Sequence, residues 1–562
     1  MYDLIIRNAR LIDGSGAPEK IGHLAVKEGR IAAVTDALEA LGSARQTIDA
    51  DGLALMPGII DSHTHYDAQI TWDPAMNPSS SLGVTTVLIG NCGFTIAPCR
   101  PQDREITMRN LTQVEGMSLE ALQEGIRWDF ESFPEYMDLL EQQGSVLNVG
   151  AFFGHSSLRT WVMGDAATER VATPDEITQM ELLVKQAMQV GAVGFATSTA
   201  PQHNGFGGTP MPSRLASQDE LQTLVNAMGA DGKGVFMLTK GLKTTVDYLE
   251  SIAASSQRPV VIAALLHNPR VPKAIFRNLA DIGAANERGR ELYGQVSCCP
   301  LSIEFTLQSA YPLEGMDAWK PAMKVHGDNL KQLLLDPDFR RRVREELAEP
   351  NAVRLFNAEW HKLQVLEVVK PEHKHLEGRN VQELAEEAGK DPLDFTLDLA
   401  CDEDLGTMFV AMLLNSDAEQ VGQALRDPNA TIALSDAGAH LAFFCDAAFG
   451  LHLLGHWCRD LGVLTLEQTV HHLTGRIASI YRIPERGLLK PGYCADLLLF
   501  DPASVGRAAP RRVHDLPAGA ARLTTDAIGV HGVWVNGQRI VDESGLLAEA
   551  GLPGKLLREY GA

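Results

Sequence analysis

The pair His63 and His65 is the first feature of this sequence that could do chemistry. The two histidines follow a short apolar run and are separated by one residue. Because residues i and i+2 of an extended chain point to the same side, both imidazoles can reach one metal ion. An isolated His-x-His pattern is weak evidence, since many histidines are hydrogen-bonded structural residues. It becomes informative together with other metal-binding side chains in matching positions.

Further residues of suitable type follow other apolar runs. They are Cys92, Lys240, His267 and Asp436. Each has an ordinary alternative, because a free cysteine is usually a small buried apolar group and an aspartate often caps a helix. The lysine could be a solvated charge and His267 a structural histidine. Together, imidazole, thiolate and carboxylate groups suit Zn²⁺ or a similar divalent ion, and we expect one or two such ions.

An α/β barrel would bring such scattered residues together. Short apolar runs alternate with helical stretches through the centre of the chain, as in a parallel sheet wrapped by helices. The eight predicted strands are residues 58–61, 86–89, 146–153, 193–196, 235–238, 260–266, 295–297 and 431–434. Eight such units predict a (β/α)8 TIM-type barrel, in which active groups lie where strands end and loops begin.

The two ends of the chain differ from its centre. Residues 1–55 and 481–562 contain short strands and turn signals, including Asn536-Gly537 between apolar runs, a strong hairpin signal. We predict that both ends build one small β-sandwich domain beside a barrel at 56–480. Residues 318–427 exceed an ordinary loop and are mostly helical in pattern, so we expect a helical insertion near the barrel mouth.

Composition argues against several kinds of partner. The 562 residues carry 49 Lys and Arg against 72 Asp and Glu, a formal net charge of −23. Such a surface repels nucleic acid and anionic membranes. Eight cysteines are too sparse for a secreted disulfide framework, and neither an export signal nor a membrane-spanning run is visible. We expect a cytoplasmic protein with a small-molecule substrate, and leave open whether it is a homo-oligomer.

Several longer motifs form a pattern along the chain. They are Pro-Gly-Ile-Ile-Asp-Ser-His-Thr-His at 57–65, Gly-Val-Thr-Thr-Val-Leu-Ile-Gly-Asn-Cys-Gly-Phe at 83–94, Gly-His-Ser-Ser-Leu-Arg at 154–159, Ser-Asp at 435–436 and Gly-Leu-Leu-Lys-Pro-Gly-Tyr-Cys-Ala-Asp-Leu at 487–497. The chain thereby resembles the amidohydrolase superfamily and, within it, the N-acyl-D-amino-acid deacylases, over about 1–270 and 375–540. The resemblance implies the barrel fold and hydrolysis of an amide C–N bond by hydroxide supplied at a metal ion.

The resemblance also implies two metal sites. The positions of this chain that match the pattern are His63, His65 and Asp436 for one ion, and Cys92 and His267 for the other. The second site would need a fifth-strand histidine, and Lys240 stands in its place. Because an ammonium group cannot bind a cation, either the second site is lost or Lys240 loses its proton. We hypothesise that Lys240 reacts with CO2 to give a carbamate that bridges two ions, as carbamylated lysines do from a different strand in related hydantoinases.

The barrel mouth departs from the family pattern as well. Deacylases of this family hold the substrate carboxylate with a basic residue two positions after the sixth-strand histidine, where this chain has Pro269, and with an arginine after Asp436, whereas residues 437–446 contain none. Arg270 could substitute, a surface arginine being the alternative. With Phe443 and Phe444 nearby, we expect a mouth that suits an apolar portion of the substrate.

Catalytic roles follow from the same comparison. Asp436 is the predicted general base, which takes a proton from the attacking water and delivers it to the leaving nitrogen. His440 is a candidate oxyanion donor or substrate contact, unless it orients a neighbouring loop. His155, which ends the third predicted strand, has the same two interpretations.

Three hypotheses about function remain. The first is a metal-dependent hydrolase of an N-acyl amino acid or related N-acyl amide. The second is a cyclic-amide hydrolase, acting on a hydantoin, lactam or imide, which a carbamate at Lys240 would favour. The third is a non-catalytic scaffold, against which the presence of His63, His65, His267 and Asp436 argues.

Overall fold

Parallel strands form the centre of the protein, for which a computed structural model describes residues 1–349, 351, 354–441 and 446–561. In chain order the first to eighth barrel strands are Ile59–Asp61, Val84–Ile89, Asn148–Ala151 with Phe153–Gly154, Gly194–Ser198, Val235–Thr239, Val260–Leu265, Leu292–Val296 and Ala430–Ile432. The first three pair in order in one parallel sheet, and the second segment of the third strand begins another that runs through to the eighth. The predicted α/β TIM-barrel-type fold is confirmed.

The eighth and first strands meet just beyond their ends. A parallel bridge joins Thr64 and Ala437, and the His65 N–H donates to the Ala437 carbonyl at 2.7 Å. Loops that follow the two most distant strands of the sequence are therefore neighbours. Complete closure of the barrel stays a prediction.

Helices and loops cover the strands. The helices are Arg104–Glu115, Leu119–Gly125, Phe133–Gln143, His155–Met163, Pro174–Gln189, Gln218–Met228, Val246–Ser256, Ala274–Glu287, Gly327–Leu335, Pro337–Ala348, Val381–Glu387, Pro392–Asp402, Ala418–Leu425, Phe449–His452, Leu466–Leu473 and Gly475–Ile480, with a π-helix at Leu453–Asp460. The local sequence determines where several helices begin. In helix Pro174–Gln189, Thr173 and Glu176 form a capping box and a proline occupies the first helical position. The second barrel strand is buried at every residue, as expected for a parallel sheet covered on both faces.

Both ends of the chain contribute to one nine-stranded sheet. Its strands are Tyr2–Leu11, Lys20–Lys27, Arg30–Thr35, Ala44–Asp49, Ala54–Pro57, Leu497–Phe500, Val530–Val535, Gln538–Asp542 and Gly545–Leu546. The predicted hairpin at Asn536-Gly537 is present, and both residues have positive φ (48° and 81°), as a type I′ turn requires. Short pairs join Gly506–Arg507 to Ala527–Ile528 and Arg511–Val513 to Arg522–Thr524. The two-layer sandwich and the domain boundaries stay predictions.

The insertion between the seventh and eighth barrel strands differs from the expected helical segment. It contains a three-stranded antiparallel sheet of Leu301–Phe305, Met408–Leu414 and Leu363–Glu367 as well as helices. Residues along Met408–Leu414 alternate between buried and half-buried positions, so this strand presents one face to a separate core that includes Trp319 and Phe339. Helix Ala418–Leu425 packs on the barrel core instead.

None of the helices in the described part of the chain combines the length and apolar character needed to cross a membrane.

Candidate metal centre

His63, His65 and Cys92 come together at the carboxyl ends of the first two barrel strands. One ligand atom from each side chain lies within 4.8 Å of the others, and all three residues are buried. The Cys92 Sγ is 3.6 Å from His63 Nε2. The two residues of the His-x-His pattern therefore point to one place, as the sequence predicts.

Asp436 completes the cluster from the opposite end of the barrel sequence. Its Oδ1 lies 3.2 Å from His63 Nε2 and 3.6 Å from His65 Nε2. The side chain is 25% exposed, whereas those of the two histidines are nearly inaccessible. Asp436 is thus the member of the cluster that reaches both the buried donors and the accessible side.

The backbone that carries Asp436 is unusual. Leu434, Asp436 and His440 have φ values of 67°, 45° and 52°, and a non-glycine residue in this region costs about 1–3 kcal/mol. A Cβ on Gly438 would lie only 2.6 Å from the His65 carbonyl oxygen. The loop after the eighth strand therefore packs closely on the first, which keeps Asp436 beside the histidines.

Outer contacts set the orientation of both imidazoles. His63 Nδ1 is 2.6 Å from Gln295 Oε1, and His65 Nδ1 is 3.2 Å from Glu115 Oε1. Each histidine therefore turns Nδ1 toward an outer partner and presents Nε2 to Asp436. The partner is hydrogen-bonded in His63, whereas Glu115 lies beside His65 Nδ1 without hydrogen-bond geometry. Such partners are typical of metal-ligating histidines, whose ring orientation and tautomer they fix.

The electrostatics of the cluster fit a cation. Burial raises the pKa of the Cys92 thiol, but the neighbouring His63 and His65 outweigh it and lower that pKa to about 6. Burial alone would lower the pKa of His65, yet Glu115, Asp436 and Cys92 raise it well above its usual value. Two imidazoles surrounded by a thiol and carboxylates give a buried, electron-rich group, in which a metal ion can replace the protons.

Lys240 does not point toward this cluster. Thr239, which ends the fifth strand, places its Oγ1 3.1 Å from Cys92 Sγ. Lys240 continues the ladder by donating its N–H to the Ala263 carbonyl, and its neighbouring charge is Asp281 on the outer helix Ala274–Glu287. Because side chains alternate along a strand, the residue facing the cluster is Thr239. The geometry does not support the predicted bridging carbamate.

His267 lies apart from the other donors as well. Its carbonyl accepts from Asn415 N–H at 2.8 Å, and its charged neighbours are Asp417 and Lys362. Its buried ring nitrogens have no hydrogen-bond partner among the described residues. The His267 N–H also donates to Asn415 Oδ1 at 3.2 Å, so the residue lies where the barrel meets the end of the insertion strand Met408–Leu414. The structure does not join it to Cys92 in a second site.

Two predicted substrate contacts are already engaged within the fold. Both ring nitrogens of His155 are used, Nδ1 with Thr197 Oγ1 at 2.8 Å and Nε2 with Glu220 Oε1 at 2.9 Å, and the side chain is fully buried. Arg270 donates to Arg354 and Leu355 carbonyls and pairs with Glu359. Each side chain therefore has partners of its own within the fold, and its contact with substrate stays a prediction.

His440 does lie near the cluster. Its N–H donates to the Glu115 carbonyl, its Nε2 is 3.7 Å from Glu115 Oε2, and its ring is 6.5 Å from that of Tyr311 in the insertion. Burial lowers the pKa of His440 to about 4, although Asp436 opposes the shift. The predicted contacts Phe443 and Phe444 lie outside the described residues.

Sequence reasoning missed several residues around the cluster. Glu115 ends a helix far from any barrel strand, and only the folded chain places it beside His65. Gln295 lies within a predicted strand, where its polar side chain was a usable signal. His203, in the loop after the fourth strand, has its Nδ1 2.6 Å from Ser198 Oγ and its ring 5.0 Å from Phe94.

Comparisons with known proteins agree with this arrangement. The model of the amidohydrolase family matches residues 46–295 and 342–541. D-aminoacylase of Alcaligenes xylosoxydans xylosoxydans is 30% identical over 545 residues, covering 96% of this chain and 95% of that protein. N-acyl-D-aspartate deacylase of the same organism is 30% identical over 559 residues, covering 99% and 95%.

A solved structure of D-aminoacylase, described as having a binuclear metal center with one-metal activation and second-metal attenuation, is 27% identical, with a TM-score of 0.66 and complete coverage of both chains. The match extends over the barrel, the insertion and both termini. The chain belongs to the amidohydrolase family, among the relatives of D-aminoacylase.

Proposed function

We propose that this protein is a zinc-dependent hydrolase that cleaves the amide bond of an N-acyl amino acid or a related N-acyl amide. The observation that carries the proposal is the convergence of the Asp436 carboxylate on the Nε2 atoms of His63 and His65, at 3.2 and 3.6 Å. Family membership supplies the reaction class, and the relatives named above supply the N-acyl amino acid.

His63, His65, Cys92 and Asp436 would hold the ion. Thiol, imidazole and carboxylate groups are ligands that Zn²⁺ accepts, and a catalytic zinc site keeps one position open for water. When bound, the ion supplies hydroxide at neutral pH and polarises the scissile carbonyl. Glu115 and Gln295 keep both imidazoles turned toward it through their contacts with the Nδ1 atoms.

Asp436 is the proposed general base and acid. Its partial exposure lets the carboxylate meet a water molecule on the accessible side, take its proton and return that proton to the leaving nitrogen. His63 and His65 lower the pKa of Asp436 below its usual range despite burial, so the carboxylate is ionised at neutral pH.

His440 is the proposed donor to the substrate carbonyl or a contact to its acyl portion. The Glu115 backbone and side chain hold it beside the cluster. With Tyr311 close by, it forms part of a wall that can take an apolar group.

The two alternatives have less support. A cyclic-amide hydrolase with a lysine carbamate would need Lys240 at the cluster, where Thr239 lies instead. A scaffold would need no ordered donor set, yet His63, His65, Cys92 and Asp436 converge.

The test uses enzyme stripped with a chelator and reloaded with zinc. Hydrolysis of N-acyl-D- and N-acyl-L-amino acids, N-acyl amides and cyclic imides should be measured before and after reloading. We expect zinc-restored cleavage of N-acyl substrates. Cleavage confined to cyclic imides, or activity that no metal restores, would contradict the proposal.

A further inference from the structure

A cavity opens between the loops that follow the fourth and fifth barrel strands. Its volume is about 450 Å³, and it is lined by residues of both loops, among them Thr199 and Thr244. These two threonines share a hydrogen bond of 2.6 Å that ties the loops together. Because it lies beyond the carboxyl ends of barrel strands, the cavity opens at the end of the barrel that carries the metal cluster.

Two cations reach this cavity without a matching acid. Arg214 and Lys243 line it, and none of its described lining residues is acidic. Arg214 donates to the His203 carbonyl and to Asn204 Oδ1, both neutral acceptors. Within the described ranges neither cation forms an ion pair with a carboxylate. That is notable for Arg214, which is half-buried in a chain with a net charge of −23, because a partly desolvated cation is stabilised by a counter-charge. Lys243 is exposed.

The neutral groups of the cavity favour the same kind of ligand. Helices Gln218–Met228 and Val246–Ser256, of eleven residues each, begin at its rim, and their N-terminal dipoles attract negative charge. Their first-turn acids, Asp219, Glu220 and Asp247, do not line the cavity. Leu242 is 78% exposed beside Lys243, which adds an apolar wall for a carbon chain.

We propose that this cavity binds a carboxylate-bearing small molecule through Arg214 and Lys243. A volume of about 450 Å³ is within the range of ligand sites in proteins. The carboxylate can come from the amino-acid portion of the substrate, in which case the inference rests on the proposed function. It can instead come from a separate effector that binds at the same face. Arg270, the residue expected from the sequence to hold a carboxylate, pairs with Glu359 and leaves that role open.

A binding experiment tests the site without using activity. Succinate should be titrated calorimetrically into zinc-loaded wild type, Lys243→Gln, Arg214→Lys and the control Lys27→Gln, an exposed lysine of the terminal sheet. Lys243 is exposed and its side chain forms no hydrogen bond or ion pair with the described residues, so its substitution should leave the far-ultraviolet circular dichroism unchanged. We expect about tenfold weaker binding in Lys243→Gln, the loss of one charge-assisted contact. Arg214→Lys keeps the charge but loses the planar guanidinium fork, so we expect weaker binding than in wild type, by less than in Lys243→Gln.

A kinetic experiment identifies the source of the carboxylate. KM should be compared for an N-acyl amino acid and for its uncharged primary amide. A rise of about tenfold in Lys243→Gln for the acid alone would assign the site to the substrate. Weaker succinate binding with both KM values unchanged would assign it to a separate anion.

Succinate binding and KM values that match wild type in Lys243→Gln would overturn the inference. A lack of hydrolysis of every substrate, with succinate binding still dependent on Lys243, would refute the proposed function and leave the anion site standing.

Discussion

The Oε1 atom of Glu115 lies 3.2 Å from His65 Nδ1, while its backbone carbonyl accepts the N–H of His440. One buried residue at the end of a helix therefore contacts both a proposed zinc ligand and the loop that carries Asp436. Because a carboxylate on the outer nitrogen of a ligating histidine fixes the ring, Glu115 is a positioning residue for the metal centre.

Substitution of Glu115 tests that role. We expect Glu115→Gln to lower zinc affinity by about 10–100-fold, since the amide keeps the shape but loses the charge. Competition with a chromogenic chelator measures the affinity, and Glu124→Gln, an exposed residue of the next helix, is the matched control. Equal zinc affinity in both variants would contradict a positioning role for Glu115.

Replacement of Asp436 should separate chemistry from metal binding. We expect Asp436→Asn to lower kcat by about 10²–10⁴-fold, the usual contribution of general acid–base catalysis, and to retain part of the zinc through His63, His65 and Cys92. Steady-state kinetics and metal analysis on the same samples check this. Asp129→Asn, an exposed aspartate, should match wild type. Undiminished turnover in Asp436→Asn would rule out its role as the base.

Lys240 should be dispensable for metal binding. Because its neighbouring charge is Asp281 on the outer layer, we expect Lys240→Gln to keep the wild-type zinc content and kcat within about threefold. Bicarbonate added during zinc loading should change neither the zinc content nor the kcat of wild type or Lys240→Gln. A loss of metal in the variant, restored by a short carboxylic acid, would instead support the carbamate.

Arg270 should matter for stability rather than for substrate affinity. Its guanidinium pairs with Glu359 and donates to two carbonyls of the insertion, so Arg270→Gln leaves partners unsatisfied and should lower the free energy of unfolding by about 1–3 kcal/mol. Urea unfolding measures the loss. A tenfold rise in KM for an N-acyl amino acid with unchanged stability would restore its predicted role.

His155 should make stability depend on pH. Burial lowers its pKa below the usual 6.5, so the unfolded chain binds the proton more readily than the folded one. The stabilisation is complete above about pH 6.5 and is lost as the pH falls through that value. We expect the fall in Tm between about pH 7.5 and about pH 5.5 to be smaller in His155→Gln than in wild type or His375→Gln. An identical fall in all three would contradict this.

The barrel strands could be predicted because buried parallel strands appear in the sequence as continuous apolar runs. The shared direction of His63 and His65 could be predicted because alternate residues of a strand face the same side. Lys240 and His267 were harder, because one residue of register decides whether a side chain faces the barrel interior or the outer layer. Thr239 occupies the inward position, and a sequence pattern based on residue type alone overlooks it.

Contacts between distant segments could not be read from the sequence. Glu115 lies beside His65 although a whole barrel strand separates them in the chain, and Arg270 pairs with Glu359 of the insertion. Neither contact produces a local pattern in the sequence. The strands of the insertion were missed because half-buried alternation in Met408–Leu414 is hidden by its apolar composition.

X-ray absorption spectroscopy of the zinc-loaded protein tests the central claim most directly. We expect zinc with one sulfur ligand at about 2.3 Å and nitrogen or oxygen ligands at about 2.0–2.1 Å. The sulfur signal should be absent in Cys92→Ser, and hydrolysis should depend on the loaded metal. Protein that binds no zinc under these conditions, or zinc held without sulfur and unaffected by substitution of His63 and His65, would contradict it.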